Sequence, residues 1–208
     1  MNIFTHKFST NFAKKMAEKP NVIFVLGGPG SGKGTLCSSI TESPSTFSDS
    51  NEPLFVHLSA GELLRREMTV RRDTERGKLI DDIIQRGEIV PVKITVSLLE
   101  QAMLDSGWSS KTYLIDGFPR NQDNFDGWFQ EMGEKTRCPF VLFIGVSRQC
   151  MVERVLERAK NTGSGEIRSD DNLEVLENRF RTFEETTMPI VNYFEKAHDH
   201  TLVRINGE

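Results

Sequence analysis

A glycine-rich segment directly after a run of apolar residues constrains this chain more than any other feature. The apolar run is Val22-Ile23-Phe24-Val25-Leu26, and the segment after it reads Gly27-Gly28-Pro29-Gly30-Ser31-Gly32-Lys33-Gly34-Thr35. A buried strand that passes through such a loop into a helix points several backbone N–H groups at one place, which suits a phosphate group. Glycine is needed because a Cβ would forbid the φ values and close approaches of a loop that wraps a ligand. The segment therefore predicts a strand, a phosphate-binding loop and a helix, in that order.

Lys33 adds a positive charge to this loop and makes it a variant P-loop. The common pattern has Ser or Thr directly after the lysine, whereas Gly34 stands there in this chain and Thr35 comes next. A flexible glycine-rich hairpin is the alternative, but it requires the strand, the glycines and the lysine to coincide by chance. We expect the loop to bind a nucleoside triphosphate through Gly28, Pro29, Gly30, Ser31, Gly32, Lys33, Gly34 and Thr35.

Composition favours one ordinary α/β domain. The chain has 208 residues, of which 37% are hydrophobic, and a formal net charge of −4, so nothing favours nucleic acid or an anionic membrane as a partner. Cys37, Cys138 and Cys150 are odd in number and lack paired metal-ligand spacing, which favours free thiols in a reducing compartment and hence the cytoplasm. No apolar stretch approaches the roughly eighteen residues that a membrane span requires.

Two segments differ in composition from the rest of the chain. Residues 1–20 form an N-terminal extension with four lysines, no arginine, and apolar residues at i, i+4 spacing that would suit an amphipathic helix. A docked or frayed extension is the favoured interpretation, and a mitochondrial or other organellar targeting segment, usually rich in arginine, is the alternative. Residues 42–53 are rich in Ser, Thr, Pro, Asp and Asn, and they predict a surface insertion.

The rest of the chain alternates strands with helices. Further strands are predicted at 54–58, 112–115, 140–144 and 201–205, and helices at 33–41, 76–86, 92–104, 148–160 and from 168 to about 197. Another helix is predicted to open at 59–62, with Ser59 as its N-cap. Strands that alternate with helices behind a leading P-loop predict a doubly wound, mostly parallel sheet.

Asp116 follows the third predicted strand. A carboxylate at the carboxyl end of a buried strand, near a P-loop, is placed to hold a magnesium ion through water. A simple turn residue before Gly117 is the alternative.

Arginines flank a glycine-rich segment at 161–166. Arg154 and Arg158 lie one turn apart on a predicted helix, and Arg168 and Arg179 lie beyond the segment. Each could be a solvated surface charge, but together with a P-loop they suit a clamp on a phosphoryl group in transfer.

These motifs resemble those of the nucleoside monophosphate (NMP) kinases, and within them the eukaryotic UMP-CMP kinases, over nearly all of residues 21–208. The segments that carry the resemblance are GGPGSGKGT at 27–35, HLSAGELLR at 57–65, GEIVPVKIT at 87–95, LIDGFPRNQDN at 114–124 and RSDDN at 168–172. The resemblance implies an α/β P-loop three-layer fold with a five-stranded parallel sheet. It also implies a single kinase domain over 21–208, with a small helical NMP-binding segment at 59–89 and a short lid at 159–169.

The resemblance also implies roles for individual residues. Lys33 would hold the ATP phosphates, Arg154 would lie against the ATP base, and Arg158, Arg168 and Arg179 would act on the γ-phosphoryl group. Asp170 and Asp171 would orient the lid arginines. The nucleoside monophosphate would bind to Ala60, Arg65, Glu88, Ile89, Val90, Gly117, Phe118, Pro119, Arg120, Asn124, Arg168 and Arg179. Arg65 and Arg120 would hold its phosphate, and Lys33, Arg120, Arg158, Arg168 and Arg179 would be catalytic.

The chain departs from the family pattern at four points. Glu62 replaces an aspartate, Leu36 replaces a glutamine, and the lid is about four residues longer than in short-lid relatives. The family also continues beyond the position of Glu208 through an adenine-contacting loop into a last helix. Either the sequence is truncated there, or ATP binding is weakened.

The expected activity is reversible transfer of the γ-phosphoryl group of Mg-ATP to UMP or CMP, possibly also dCMP, by a monomer. An adenylate kinase is the nearest alternative. In that group the place of Asn124 usually holds glutamine and the place of Ala60 usually holds threonine, so both residues here favour a pyrimidine. A P-loop GTPase lacks support because no Asn-Lys-x-Asp run is present, and a catalytically impaired nucleotide-binding relative is a further alternative.

The lid generates a first prediction. If Arg168 meets the phosphoryl group only after lid closure, Arg168→Ala lowers kcat far more than it raises the KM for ATP, because the contact forms mainly in the transition state. Steady-state kinetics with varied ATP measure both constants. A change confined to KM would show that the longer lid keeps Arg168 away from the chemistry, with Lys160 as the next candidate.

Overall fold

The computed structural model describes residues 19–43, 53–160, 173–196 and 201–208. The N-terminal extension up to residue 18, most of the predicted insertion and most of the predicted lid lie outside these ranges. The strands are β1 (Asn21–Leu26), β2 (Phe55–Ser59), β3 (Thr112–Asp116), β4 (Phe140–Gly145) and β5 (Thr201–Asn206). The α-helices are α1 (Lys33–Glu42), α2 (Ala60–Val70), α3 (Glu75–Gln85), α4 (Val92–Asp105), α5 (Gln122–Met132), α6 (Arg148–Lys160), α7 (Leu173–Thr182) and α8 (Met188–Lys196). A 3₁₀ turn spans Trp108–Ser110 and a π turn spans Phe183–Thr187.

In the described part of the chain, five strands form one parallel sheet in the order β2-β3-β1-β4-β5. This confirms the predicted α/β fold with a five-stranded parallel sheet. The central strand β1 lies between β3 and β4, and its Val25 pairs with Asp116 of β3. In an open parallel sheet, ligands bind beyond the carboxyl ends of the strands. The register therefore places Asp116 beside the loop that follows β1.

Both faces of β1 are buried, as its continuous apolar sequence requires. Val22, Phe24 and Leu26 pack with α4, α5 and α8 on one face, where Phe24 makes an edge contact with Trp128 at a centroid distance of 5.4 Å. Ile23 and Val25 pack on the opposite face with Cys37 and its neighbours in α1. This alternation produces the three layers and holds the start of the P-loop rigidly.

Helices α2 and α3 pack through a small apolar cluster of their own, formed by Leu64, Ile80, Ile83 and Val90. Each helix begins with a side-chain cap. Ser59 accepts a hydrogen bond from the backbone N–H of Glu62 at 3.4 Å, as its sequence position predicts, and Thr74 accepts one from Gly77 at 3.2 Å. These helices form one wall of the cavity described below.

The long helix predicted from 168 to about 197 is not continuous. Where the structure describes it, it comprises α7, the π turn and α8, and in the π turn the Met188 N–H donates to the carbonyl of Phe183, five residues earlier. Pro189 gives a physical reason, because proline has no N–H and its ring crowds the carbonyl four residues before it. The sequence analysis did not use this proline as a signal.

Within the described ranges, no helix is both long and apolar enough to cross a bilayer.

Candidate active site

The P-loop is closed around the side chain of Lys33. Its ammonium group donates to the carbonyls of Gly27 and Gly28, each at 2.9 Å, and lies 3.3 Å from the hydroxyl of Ser31. Gly30 has φ +77°, and a Cβ there would lie 2.5 Å from the carbonyl oxygen of Met151 in α6. Glycine at this position therefore lets α6 approach the loop closely.

Burial changes the acid–base chemistry around the loop. Desolvation lowers the pKa of Lys33 to about 8, with Arg120 and Arg179 adding repulsion and Asp116 opposing the shift. Burial also raises the pKa of the Cys37 thiol to about 12, so that thiol stays neutral and is a poor nucleophile. Among these groups, Lys33 is therefore expected to change its pKa most when phosphate binds.

Asp116 is buried at the end of β3 and is ionised. Burial alone would raise its pKa, but the interaction with His57 and the charges of Lys33 and Arg120 hold it below the ordinary value. The Nε2 atom of His57 lies 3.5 Å from Oδ2 of Asp116. A Cβ at Gly34 would lie 3.8 Å from the same oxygen, so this oxygen lies close to the P-loop.

The residues fit a phosphate-bound magnesium ion rather than an independent metal centre. Carboxylate oxygen is the protein ligand that Mg²⁺ prefers, and Mg²⁺ is commonly held by one or two carboxylates together with substrate phosphates. Among the described residues, no group of three or more His, Cys, Asp or Glu side chains could hold a metal ion by itself. Asp116 is therefore the carboxylate suited to such an ion.

A cavity between α2, α3 and the loop after β3 contains most of the residues predicted to bind the monophosphate. We call it the acceptor cavity. Its lining includes Ala60, Arg65, Glu88, Ile89, Val90, Gly117, Phe118, Arg120, Asn124 and Arg179. The cavity is also lined by five residues that were not named as binding residues from the sequence: Gly61, Leu64, Ile84, Gly87 and Thr95. Pro119 lines a neighbouring cavity with Lys33 and Thr187.

A second, larger cavity lies over the P-loop, and we call it the phosphate cleft. It is lined by Pro29, Gly30, Gly32, Lys33, Gly34, Thr35, Asp116 and Arg158, together with Arg65, Arg120 and Arg179. The last three residues also line the acceptor cavity. The two cavities therefore share three guanidinium groups, which is the arrangement that two anionic ligands placed end to end would need.

Arg120 is held through its backbone as well as its side chain. Its backbone N–H donates to Oδ1 of Asn124 at 3.3 Å, and its Nε donates to the carbonyl of Gly117 at 2.9 Å. Its backbone carbonyl accepts from the hydroxyls of Thr186 at 2.9 Å and Thr187 at 2.8 Å. These contacts come from α5, from the loop after β3 and from the π turn.

The arrangement of Asn124 refines what the sequence suggested. Its side chain is buried and lines the acceptor cavity. The atom facing the N–H of Arg120 must be the amide oxygen, because a donor requires an acceptor, so the NH₂ group is the part of the amide with donors to offer a base.

The remaining predicted residues divide into two groups. Arg154 donates to the carbonyl of Gly207 at 2.7 Å, and one of its guanidinium nitrogens lies 4.0 Å from a Cβ placed at Gly32. It is thus placed between the P-loop and the end of β5, and contact with a nucleotide base remains a prediction. Arg168, Asp170 and Asp171 lie outside the described residues.

Sequence reasoning missed two parts of the site. His57 occurs in a quoted motif, two residues before Ser59 on a strand. Residues at this spacing lie on the same face of the sheet, and this relation could have placed His57 near Asp116. Thr182, Thr186 and Thr187 gave no local signal, because their partners at Gly87 and Arg120 are distant in sequence.

Comparison with known proteins gives consistent matches. Residues 25–199 match the family model described as adenylate kinase. The chain is 48% identical over 181 residues to a UMP-CMP kinase of Danio rerio, covering 86% of this chain and 85% of the relative. It is 46% identical over 181 residues to a UMP-CMP kinase of Homo sapiens, with the same coverage. A UMP-CMP kinase 2 of Caenorhabditis elegans is 48% identical over 177 residues, covering 85% of this chain and 84% of the relative.

The lowered pKa of Lys33 predicts how triphosphate binding depends on pH. Lys33 is charged below its pKa of about 8 and neutral above it, and only the charged form attracts phosphate. The affinity for ATP should therefore fall as pH rises above 8, by at most about tenfold per pH unit. Isothermal titration calorimetry between pH 7 and pH 9.5 measures this.

Lys33→Arg is the matched control, because a guanidinium stays charged throughout that range. Its affinity should be independent of pH even where it is weaker than that of the wild type. A flat profile for the wild-type protein would contradict the lowered pKa.

Proposed function

Since this chain belongs to the adenylate kinase family of nucleoside monophosphate kinases, we propose that it transfers the γ-phosphoryl group of ATP reversibly to UMP or CMP. The products are ADP and the pyrimidine diphosphate. The single observation that carries this proposal is the set of guanidinium groups shared by the acceptor cavity and the phosphate cleft. An acceptor phosphate bound at that junction would face the terminal phosphate of a nucleotide held by the P-loop.

Alignment and charge neutralisation supply most of the rate of phosphoryl transfer, and little covalent chemistry is asked of the protein. Arg120 and Arg179 bridge the two anions, Lys33 holds the donor phosphates, and Arg65 holds the acceptor phosphate. Arg158 lines the phosphate cleft, which supports a contact with the γ-phosphoryl group. No general base is needed, because the attacking phosphate oxygen is already an anion.

Magnesium is the expected cofactor, with Asp116 holding it through water. A bound Mg²⁺ neutralises phosphate charge and orients the phosphate chain. Asp116 suits this function because its depressed pKa keeps the carboxylate ionised. Lid closure, with Arg168 oriented by Asp170 and Asp171, would exclude water as the competing acceptor.

Ala60 and Asn124 favour a pyrimidine as the acceptor base. Both line the acceptor cavity, and the amide NH₂ of Asn124 can donate to a carbonyl oxygen of uracil or cytosine. The relatives named UMP-CMP kinase support the same choice. AMP is the competing acceptor, since adenylate kinases share the phosphate-binding residues.

We further propose that the protein works as a cytoplasmic monomer in pyrimidine nucleotide synthesis. All three cysteines are free thiols, in keeping with a reducing compartment. No macromolecular partner is needed for the proposed reaction.

The decisive experiment is an acceptor panel. The protein, ATP and each of UMP, CMP, dCMP and AMP are combined, and ADP release is measured at several acceptor concentrations. We expect kcat/KM for UMP and CMP to exceed that for AMP by at least tenfold, the scale of one or two unpaired polar groups in a base pocket. If AMP is the best acceptor, the protein is an adenylate kinase; if no acceptor gives ADP release, it is a catalytically impaired relative.

The base-selecting residues can be tested together. Asn124→Gln combined with Ala60→Thr should narrow the preference for pyrimidines over AMP, mostly by weakening UMP and CMP. Asn124 also holds the backbone of Arg120, so a general loss of kcat with every acceptor is expected as well. The informative quantity is the ratio of kcat/KM values between UMP and AMP, and an unchanged ratio would remove both residues from base selection.

A further inference from the structure

We propose that Thr187, assisted by Thr186, is a positioning residue that holds Arg120 in place for phosphoryl transfer. The inference rests on the proposed role of Arg120 in binding the transferring phosphate. It concerns two hydroxyl groups in the π turn that neither the motifs nor the resemblance singled out.

Both threonines converge on one backbone atom. The Oγ1 atoms of Thr187 and Thr186 lie 2.8 Å and 2.9 Å from the carbonyl oxygen of Arg120, across 67 and 66 residues of chain. Thr187 is buried, with 6% of its surface exposed. A largely buried hydroxyl that loses its acceptor has few other partners, so this bond is costly to break.

Counting protons distinguishes the two residues. A hydroxyl group has a single proton to donate. Thr186 Oγ1 lies 2.6 Å from the carbonyl of Thr182 as well as 2.9 Å from that of Arg120, so its proton is shared between two acceptors. Arg120 O is the acceptor of the Thr187 hydroxyl, and Thr187 therefore makes the more constant contact.

The π turn explains how two adjacent threonines can both bond to the carbonyl oxygen of Arg120. Neighbouring residues in a regular α-helix do not face the same point. Here the Met188 N–H bonds to Phe183 rather than to the residue four positions earlier, which changes the angle between successive side chains. The π turn, set by Pro189, thus places the two hydroxyls at the loop that carries Arg120.

The end of α7, directly before the π turn, contacts the wall of the acceptor cavity. The hydroxyl of Thr182 donates to the carbonyl of Gly87 at 3.3 Å, and Gly87 lines the acceptor cavity. Helix α7 carries Arg179, which lines that cavity and the phosphate cleft. The end of α7 and the π turn thus connect Arg179, Gly87 and Arg120. A shift at Thr187 would therefore displace Arg120, the guanidinium group proposed to align two phosphates.

The test compares Thr187→Val, which keeps the shape and removes the hydroxyl, with Thr187→Ser, which keeps the hydroxyl. With ATP and UMP as substrates, we expect Thr187→Val to lower kcat by about tenfold or more while the KM for ATP stays within about twofold, as misplacement of an aligning group predicts. Thr187→Ser should retain kcat within about threefold of the wild type.

Thr136→Val is a matched control for loss of a buried hydroxyl. Thr136 is 7% exposed and its hydroxyl donates to the carbonyl of Met132 at 2.9 Å, and it does not line the acceptor cavity or the phosphate cleft. We expect Thr136→Val to lower Tm to a similar extent as Thr187→Val and to leave kcat unchanged. Equal loss of kcat in both variants would reduce Thr187 to a structural residue and overturn the proposal.

A double-mutant cycle asks whether Thr187 acts through Arg120. Arg120→Ala should lower kcat strongly, and Thr187→Val added to it should lower kcat no further, because the group being positioned is gone. An undiminished extra loss in that background overturns the proposal, as does a folded Thr187→Val variant with wild-type kcat. If Thr187→Val does not fold, Thr187→Ala is assayed with the same expectations.

The proposed function and this inference fail in different ways. Absence of UMP and CMP phosphorylation by the wild-type protein would remove the function. A large loss in Arg120→Ala together with no loss in Thr187→Val would leave the function in place and remove only the role of Thr187.

Discussion

The burial of β1 on both faces is the constraint on which the rest of the structure depends. Alternate residues of this strand pack into two separate apolar clusters, and neighbouring strands pair with it on both edges. Because every side of the strand is fixed, the chain leaves the sheet at one defined point, and the P-loop begins there. The register with β3 then places Asp116 beside that point, so the phosphate loop and the expected magnesium carboxylate are positioned by the same sheet.

The electrostatics of the site follow from this geometry. Lys33, Arg65, Arg120, Arg158 and Arg179 line one cleft, together with two carboxylates, Asp116 at the end of β3 and Glu62 in α2. Repulsion within the group is visible at Lys33, whose pKa falls to about 8 chiefly through burial and partly through Arg120 and Arg179. A bound anionic nucleotide would reduce the repulsion that Lys33 experiences. The site thus couples nucleotide binding to the stability of the folded protein.

The sequence predicted the sheet and the P-loop well, because continuous apolar runs and glycine-rich turns are local signals. The predicted bounds of the helix at 148–160 agree with the structure, and β1 begins one residue before the predicted apolar run, at Asn21. Ser59 caps α2 as its position suggested. Which arginines meet in the cleft could not be derived from spacing, since Arg65, Arg120 and Arg179 come from distant parts of the chain, and only the resemblance brought them together.

The contact from Asn124 to Arg120 and the hydroxyls of the π turn were not predicted either, because each depends on the path of the backbone around Pro119 and Pro189. The lid residues Arg168, Asp170 and Asp171 stay predictions.

The contacts around Arg120 show how a flexible side chain can act with defined geometry. A guanidinium group on a free chain would lose much of its conformational entropy when it aligns a phosphate. Here Gly117 holds the Nε atom, Asn124 holds the backbone N–H, and Thr187 holds the backbone carbonyl. The bond from Nε to Gly117 orders part of the side chain on folding, and the two backbone contacts fix the point from which it extends toward the cavities that Arg120 lines. Asn124 and Arg120 are joined directly by the bond from the Arg120 N–H to the Asn124 amide oxygen. In the proposed function, recognition of the acceptor base and alignment of its phosphate therefore share one network.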